Sequence, residues 1–307
     1  MLTDNIKQLI EDKYIEAYNN KSLIFNDVET FIKINCYNGM MYWIRFAPSL
    51  LAKPEKGDTP INHDPLGKHE PELLVLQNMD PLEKEFKLVL NKFPVMPNHT
   101  LLITNPYKDQ RTSLTPQDLI KCYTLLKTMN TTQDEKNFII YNSGPASGSS
   151  QNHKHLQLLQ FPNGFIPFQD KLCNNKNPFI PTKGLEPLQD KFVSFAHFVI
   201  PLPSSPTQDD LMDCYIALLQ YILPFFNNWN NPTIHPSYNV ILTENWMCLV
   251  PRSNIRAKSL PVGFNSIGYT GLIMIKQEDT LNQIKNNPDL IDGLLLECGF
   301  PNPAKIQ

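Results

Sequence analysis

A chain of 307 residues, 41% hydrophobic and 19% charged, can bury a substantial core as one large domain or two modest ones. A formal net charge of -3 supplies no basic field of the kind that dominates affinity for polymeric DNA or RNA, so nucleic acid is not an expected partner and any phosphate must be met locally. Six scattered cysteines without a C-x-x-C pair argue against a zinc knuckle or a redox dithiol, and no run approaches the roughly 18 apolar residues of a membrane span, so a cytoplasmic or nuclear protein is expected.

Ile6, Leu9, Ile10, Tyr14 and Ala17 recur at helical spacing after a cap at Thr3 or Asp4, which predicts an opening amphipathic helix over 3–18. Segments 23–25 and 40–46 read as strands about the polar stretch Asn38-Gly39, and 53–72, dense in Pro, Gly, Asp and Lys, reads as a surface loop. Strands follow at 73–76 and 100–104. Thr115-Pro116-Gln117-Asp118 then supplies a cap, a first-turn proline and an acid for a helix running to Met129. Segments 138–141 and 155–161 read as strands flanking a loop, and the irregular, proline-rich stretch 171–190 as an excursion over it. Further strands are expected at 193–200, 238–243 and 247–250, with helices over 209–226 and 289–298, the last stopped by Gly299. Without strict βαβ alternation, the expected architecture is α+β, a mainly antiparallel sheet with flanking helices in a single domain over 1–307.

The most informative stretch is Asn142-Ser143-Gly144-Pro145-Ala146-Ser147-Gly148-Ser149-Ser150-Gln151-Asn152, followed by His153-Lys154-His155-Leu156-Gln157. Strand periodicity puts His153, His155 and Gln157 on one face and Lys154, Leu156 and Leu158 on the other. The small-residue loop offers backbone N–H groups and hydroxyls to an anion, and a neutral imidazole is a good nucleophile toward phosphorus. Two other readings stay open for an H-x-H strand: a zinc-ligand pair, for which Gln is a poor third ligand, and a solvated polar face. The loop is not a Walker A, because Gly144 and Gly148 are too close and no Lys-Ser/Thr follows.

This stretch resembles the motif of the fungal-type diadenosine tetraphosphate (Ap4A) phosphorylases, or ATP adenylyltransferases, a branch of the histidine-triad superfamily that carries H-x-H-x-Q after an N-S-G-P-x-S-G-S-S loop. Further segments match, among them Lys53-Pro54, Asp64-Pro65-Leu66-Gly67-Lys68, Asn91-Lys92-Phe93-Pro94, Val250-Pro251-Arg252-Ser253 and Gly263-Phe264-Asn265-Ser266. The resemblance implies a histidine-triad-like fold and reversible phosphorolysis of Ap4A to ADP and ATP through an adenylyl group on His155, with His153 and Gln157 as companions. It implies a nucleotide-binding set of Lys53, Asn91, Lys92, Asn142, Gly148, Ser149, Ser150, Gln151, Gln157, Asn265, Ser266, Ile267, Leu272 and Lys276. Ile267 and Leu272 depart from the family pattern, which has Thr or another small residue and Met there. Expected partners are small nucleotides (Ap4A, ATP, ADP) and phosphate, met by a monomer. A divalent cation, Mg²⁺, is expected to screen the polyphosphate, without a carboxylate cage in the protein. His99, in a P-x-x-P-x-H run, is read as a hydrogen-bonding residue rather than a catalytic one, and His197 and His235 as core or surface residues.

Overall fold

The computed structural model describes residues 5–25, 31–53, 64–80, 84–132, 134–180, 186–227 and 235–304. In chain order these hold helix α1 (Ile6–Asn19), strands β1 (Phe31–Asn35), β2 (Met41–Phe46), β3 (Leu74–Leu76), β4 (Phe86–Leu90) and β5 (Thr100–Thr104), then helix α2 (Pro116–Met129). Strands β6 (Asn137–Ser143) and β7 (His155–Gln160) follow, then helix α3 (Phe168–Cys173), β8 (Phe198–Pro201), helix α4 (Gln208–Ile222), β9 (Tyr238–Leu242) and β10 (Trp246–Pro251). The chain closes with β11 (Leu272–Ile275), helix α5 (Glu278–Asn286) and helix α6 (Leu290–Cys298).

Eight strands pair in the order β3-β4-β5-β7-β6-β9-β10-β8, with every neighbour antiparallel. A smaller sheet, β1-β2-β11, is a hairpin to which β11 adds in parallel. The α+β, mainly antiparallel architecture expected from the sequence is therefore the one observed.

Alternation along the central strands sorts two cores. Ile139 and Tyr141 of β6 and Leu156 and Leu158 of β7 join one cluster with apolar residues of α1, α2 and α4. Phe138 and Ile140 of β6 and Leu159 of β7 join another, with residues of the small sheet and α6. His155 and Gln157 share the parity of Leu159, so they belong to the face covered by the small sheet. Of the three helices behind the other face, α2 and α4 begin with a capping box, Thr115 with Asp118 and Thr207 with Asp210, each cap stabilising its helix by about 1 kcal/mol.

Several differences from the sequence reading have physical causes. The cap proposed at Thr3 or Asp4 lies outside the described residues, as do 54–63 and 181–185 of the two expected loops. Segment 23–25 is not a ladder strand, although the Ile24 N–H donates to the Lys92 carbonyl (2.7 Å). Strand β8 is shorter than expected because 193–197 is claimed elsewhere: Ala196 N–H binds the Phe300 carbonyl (2.7 Å), and Ser194 binds Asp292. The described residues of the 171–190 stretch, 171–180 and 186–190, include two that hydrogen-bond β8. Leu188 bridges Val199, and Phe179 N–H reaches the Pro201 carbonyl, so the stretch shields the β8 edge of the large sheet. Strands β1, β4 and β11 and helices α3 and α5 go beyond the sequence reading, and α3 ends inside the stretch read as irregular.

Candidate active site

Strand β7 is fixed from both sides. His155 pairs in register with Ile103 of β5, and Gln157 with Leu101 of β5 and Ile140 of β6. Buried Gln110 clamps the strand start: its Oε1 accepts the His155 N–H (2.7 Å), and its Nε2 donates to the carbonyls of Asn142 (3.0 Å) and His155 (3.2 Å). On the opposite face Lys154 enters the core and donates to Asp118 (2.6 Å) and the Ser113 carbonyl (2.9 Å), tying the strand to the first turn of α2. The buried His155 ring has a defined tautomer. Its Nδ1 lies 2.8 Å from the His153 carbonyl, which can only accept, so Nδ1 carries the proton and Nε2 the lone pair.

The amide of Gln157 is oriented by a chain of bonds through His99. Val95 N–H donates to His99 Nδ1 (3.3 Å), which leaves Nε2 as the protonated nitrogen, and that N–H donates to Gln157 Oε1 (3.0 Å). Gln157 thus has its oxygen engaged and its NH2 as the group it can offer a ligand. Burial pulls His99 down to about 3, so it stays neutral across the working pH range. Asn91 also points its Nδ2 at the accepting His99 Nδ1 (3.4 Å) and anchors the following turn by accepting Phe93 N–H at Oδ1 (3.0 Å).

His153 precedes β7 as an isolated bridge to Asp109. Its ring spans the Thr104 carbonyl (2.7 Å) and the Asp64 carboxylate (2.9 Å), while its own carbonyl holds the His155 ring. Asp64 is preset by its turn, accepting Gly67 N–H (2.9 Å) and Leu66 N–H (3.2 Å). His153 therefore aligns the backbone that sets the His155 tautomer.

The loop before β7 is a tight structure. Gly144 and Gly148 both take positive φ, +85° and +80°. A Cβ at Gly148 would lie 2.5 Å from the Phe264 carbonyl oxygen, so the close approach of the 147–151 and 263–267 loops needs glycine there. Beneath them, Asn142 Oδ1 accepts from Asn239 Nδ2 (2.8 Å), Ser266 N–H (3.0 Å) and Ser266 Oγ (2.7 Å). The two loops wall a cavity of about 300 Å³.

The expected binding set divides by position. Lys53, Gly148, Ser149, Ser150, Asn265, Ile267 and Lys276 line the cavity. Asn142 and Ser266 are buried behind it, and Asn91 stands behind Gln157 through His99. The half-buried Gln151 accepts the Ser149 hydroxyl at its carbonyl (3.0 Å). Two residues lie elsewhere. Lys92 is an exposed partner of Glu70 (2.5 Å) and does not line the cavity. Leu272 is fully buried on β11 opposite Trp43, and its place in the pattern is explained by packing. Burial, with the neighbouring charge of Lys276, lowers Lys53 to about 8.

Two family models match the chain: the Ap4A phosphorylase N-terminal domain over residues 2–173 and the ATP adenylyltransferase C-terminal domain over 191–301. Protein APA1 of Saccharomyces cerevisiae is 49% identical over 307 residues, covering 98% of this chain and 96% of that protein. The chain belongs to the Ap4A phosphorylase family. Diadenosine 5',5'''-P1,P4-tetraphosphate phosphorylase 2 of the same yeast is 45% identical over 99% of this chain and 97% of its own. The crystal structure of yeast Ap4A phosphorylase Apa2 in complex with Ap4A superposes with a TM-score of 0.88 at 44% identity, covering 98% of this chain and 99% of that one. In this family member the large sheet runs through both matched segments, β3 to β7 from the first and β8 to β10 from the second.

Sequence reasoning missed Asp64 and Gln110 and set His99 apart from the site. Asp64 and His99 stand in matched segments, whereas no local pattern marks Gln110. The described cavity lining offers lysine, arginine, serine and asparagine groups and no carboxylate, and no cluster of three metal-ligating side chains occurs among the described residues. That donor set does not fit a protein-held divalent cation.

Proposed function

We propose that this family member splits Ap4A with inorganic phosphate into ADP and ATP, reversibly, through an adenylyl group carried on His155. The observation that carries the mechanism is the His155 tautomer at the start of β7, the strand that follows the Gly148–Ser150 loop. In the first step the Nε2 lone pair attacks the α-phosphorus, an N–P bond forms, the P–O bond to the polyphosphate breaks and ATP departs with that electron pair. In the second, a phosphate oxygen attacks the same phosphorus, the N–P bond breaks back onto Nε2 and ADP leaves. Gln157 NH2 and the Ser149-Ser150 loop donate to the phosphoryl oxygens as charge builds, and Lys53 and Lys276 offset the polyphosphate. Any Mg²⁺ arrives with the nucleotide rather than in a protein cage.

Membership in a phosphorylase family and Gln157 at the third motif position favour transfer over hydrolysis. The test combines product analysis with intact-mass spectrometry. Ap4A with phosphate should yield ADP plus ATP, and omission of phosphate should halt turnover and leave an AMP adduct that is absent in His155→Ala. Phosphate-independent release of AMP, or an undiminished adduct in His155→Ala, would overturn the proposal.

A further inference from the structure

Arg252 directly follows β10 and is 1% exposed, yet no carboxylate among the described residues pairs with it. Its guanidinium donates only to neutral acceptors. Nε reaches the Cys298 carbonyl (2.9 Å), Nη1 reaches Asn239 Oδ1 (2.6 Å) and the Ser147 carbonyl (3.2 Å), and Nη2 reaches the carbonyls of Asn254 (2.9 Å) and Phe264 (2.9 Å). The bond to Cys298 lies at the carboxyl end of α6, whose dipole offsets part of the charge, equivalent to roughly half a unit. The guanidinium carbon also stands 4.8 Å from the centre of the buried Tyr269 ring, whose face offsets more of the charge, yet no carboxylate among the described residues does so, and an arrangement that costs desolvation without an ion pair calls for a reason.

Peptide geometry supplies one. No cis peptide occurs among the described residues, and in a trans peptide the carbonyl and the following N–H point in opposite directions. Arg252 captures the carbonyls of Ser147 and Phe264, which turns the N–H groups of Gly148 and Asn265 away from the guanidinium. Gly148 and Asn265 both line the cavity, and neither N–H has a partner among the described residues.

We propose that Arg252 is the positioning residue of the phosphate site: one buried guanidinium locks the two loops together, aims the Gly148 and Asn265 N–H groups at a phosphoryl group, and adds its own charge from below. This inference rests on the cavity binding the phosphates of a nucleotide. It assigns those two backbone donors and predicts that Arg252 sets selectivity by ligand charge while touching no ligand.

The test is the affinity of wild type, Arg252→Lys and Arg252→Gln for adenosine, AMP and ATP by calorimetry, with melting temperature as the control for folding. Wild type should bind ATP far more tightly than adenosine. That ratio should fall about 10-fold to 100-fold in the glutamine variant, the span expected for lost charge-assisted hydrogen bonds, and by an intermediate factor in the lysine variant. Equal losses for adenosine and ATP in both variants would reduce Arg252 to a structural brace and overturn the inference alone. A wild type that binds ATP no better than adenosine would overturn the reading of the site and this inference with it. Should the variants fail to fold, amide NMR of wild type decides: AMP should shift the Gly148 and Asn265 resonances, and unmoved amides would refute their assignment.

Discussion

Replacing His99 with Leu removes the donor that holds Gln157 Oε1 at 3.0 Å while leaving both motif residues in place. Two bounds frame the expected loss. If the amide then populated its two orientations equally, half of the molecules would still present NH2 to the phosphoryl oxygen, and kcat would fall about twofold. Deleting a donor to developing charge outright costs roughly 2.7–4 kcal/mol, a factor of about 100–1000. An unsatisfied buried oxygen, worth about 1–3 kcal/mol, drives the amide toward whatever orientation satisfies it, so a loss near 10-fold in kcat is expected with KM within about threefold. Steady-state kinetics with Ap4A and phosphate measure this, with a melting curve to confirm folding. The double variant His99→Leu/Gln157→Ala supplies the critical comparison, because a residue acting through Gln157 cannot add to its deletion. An unchanged kcat in His99→Leu, or multiplicative losses in the double variant, would refute the role of His99.

Lys53, lowered to about 8 by burial and Lys276, should lose its charge as pH rises through that value, so kcat/KM for Ap4A should fall on the alkaline side. Lys53→Arg should displace that limb upward, and an unmoved limb would dismiss Lys53 as its origin. Lys154→Met strands Asp118 in the core without its ion partner and should destabilise the fold by about 3–5 kcal/mol, read by chemical denaturation; Asp118→Asn in the same chain should recover part of the loss. Acid stability follows from His99 and His197, which burial lowers from 6.5 to about 3 and about 4. Because their folded values are depressed, their contribution is complete above the unfolded value near 6.5 and is lost as pH falls. At pH 5 each is about 1.5 pH units below that value, or about 2 kcal/mol apiece, and a denaturation midpoint flat from pH 7 to 5 would contradict this.

Local pattern carried the parts of this protein whose physics is local. The cap at Thr115 with Pro116 and Asp118 produced the start of α2, and period-two alternation placed Leu156 and Leu158 on one face of β7 and Gln157 on the other. What was not legible depends on partners far along the chain. Gln157 is oriented by His99, 58 residues away, His153 is held by Asp64, 89 residues away, and Ser147 by Arg252, 105 residues away. Leu272 illustrates the converse. The resemblance carried it into the binding set although it departs from the family pattern, and its strand buries it opposite Trp43.

These long-range bonds bear on why the proposed covalent intermediate should wait for phosphate. In both directions of phosphorolysis the groups that exchange with His155 attack and leave through phosphate oxygens, which leave as stable anions and need no proton delivered or removed. Gln157, which titrates nothing, suits such a reaction. Water as acceptor is different, because it must give up a proton to a base as it attacks. While His155 carries the adenylyl group it cannot serve. His99 is held near 3 by burial and keeps its protonated nitrogen on Gln157, a poor base on both counts. His153 has both ring nitrogens engaged, by Asp64 and the Thr104 carbonyl. His99 and His153 are thus committed to alignment rather than proton transfer, which favours phosphate over water as the acceptor in the proposed mechanism.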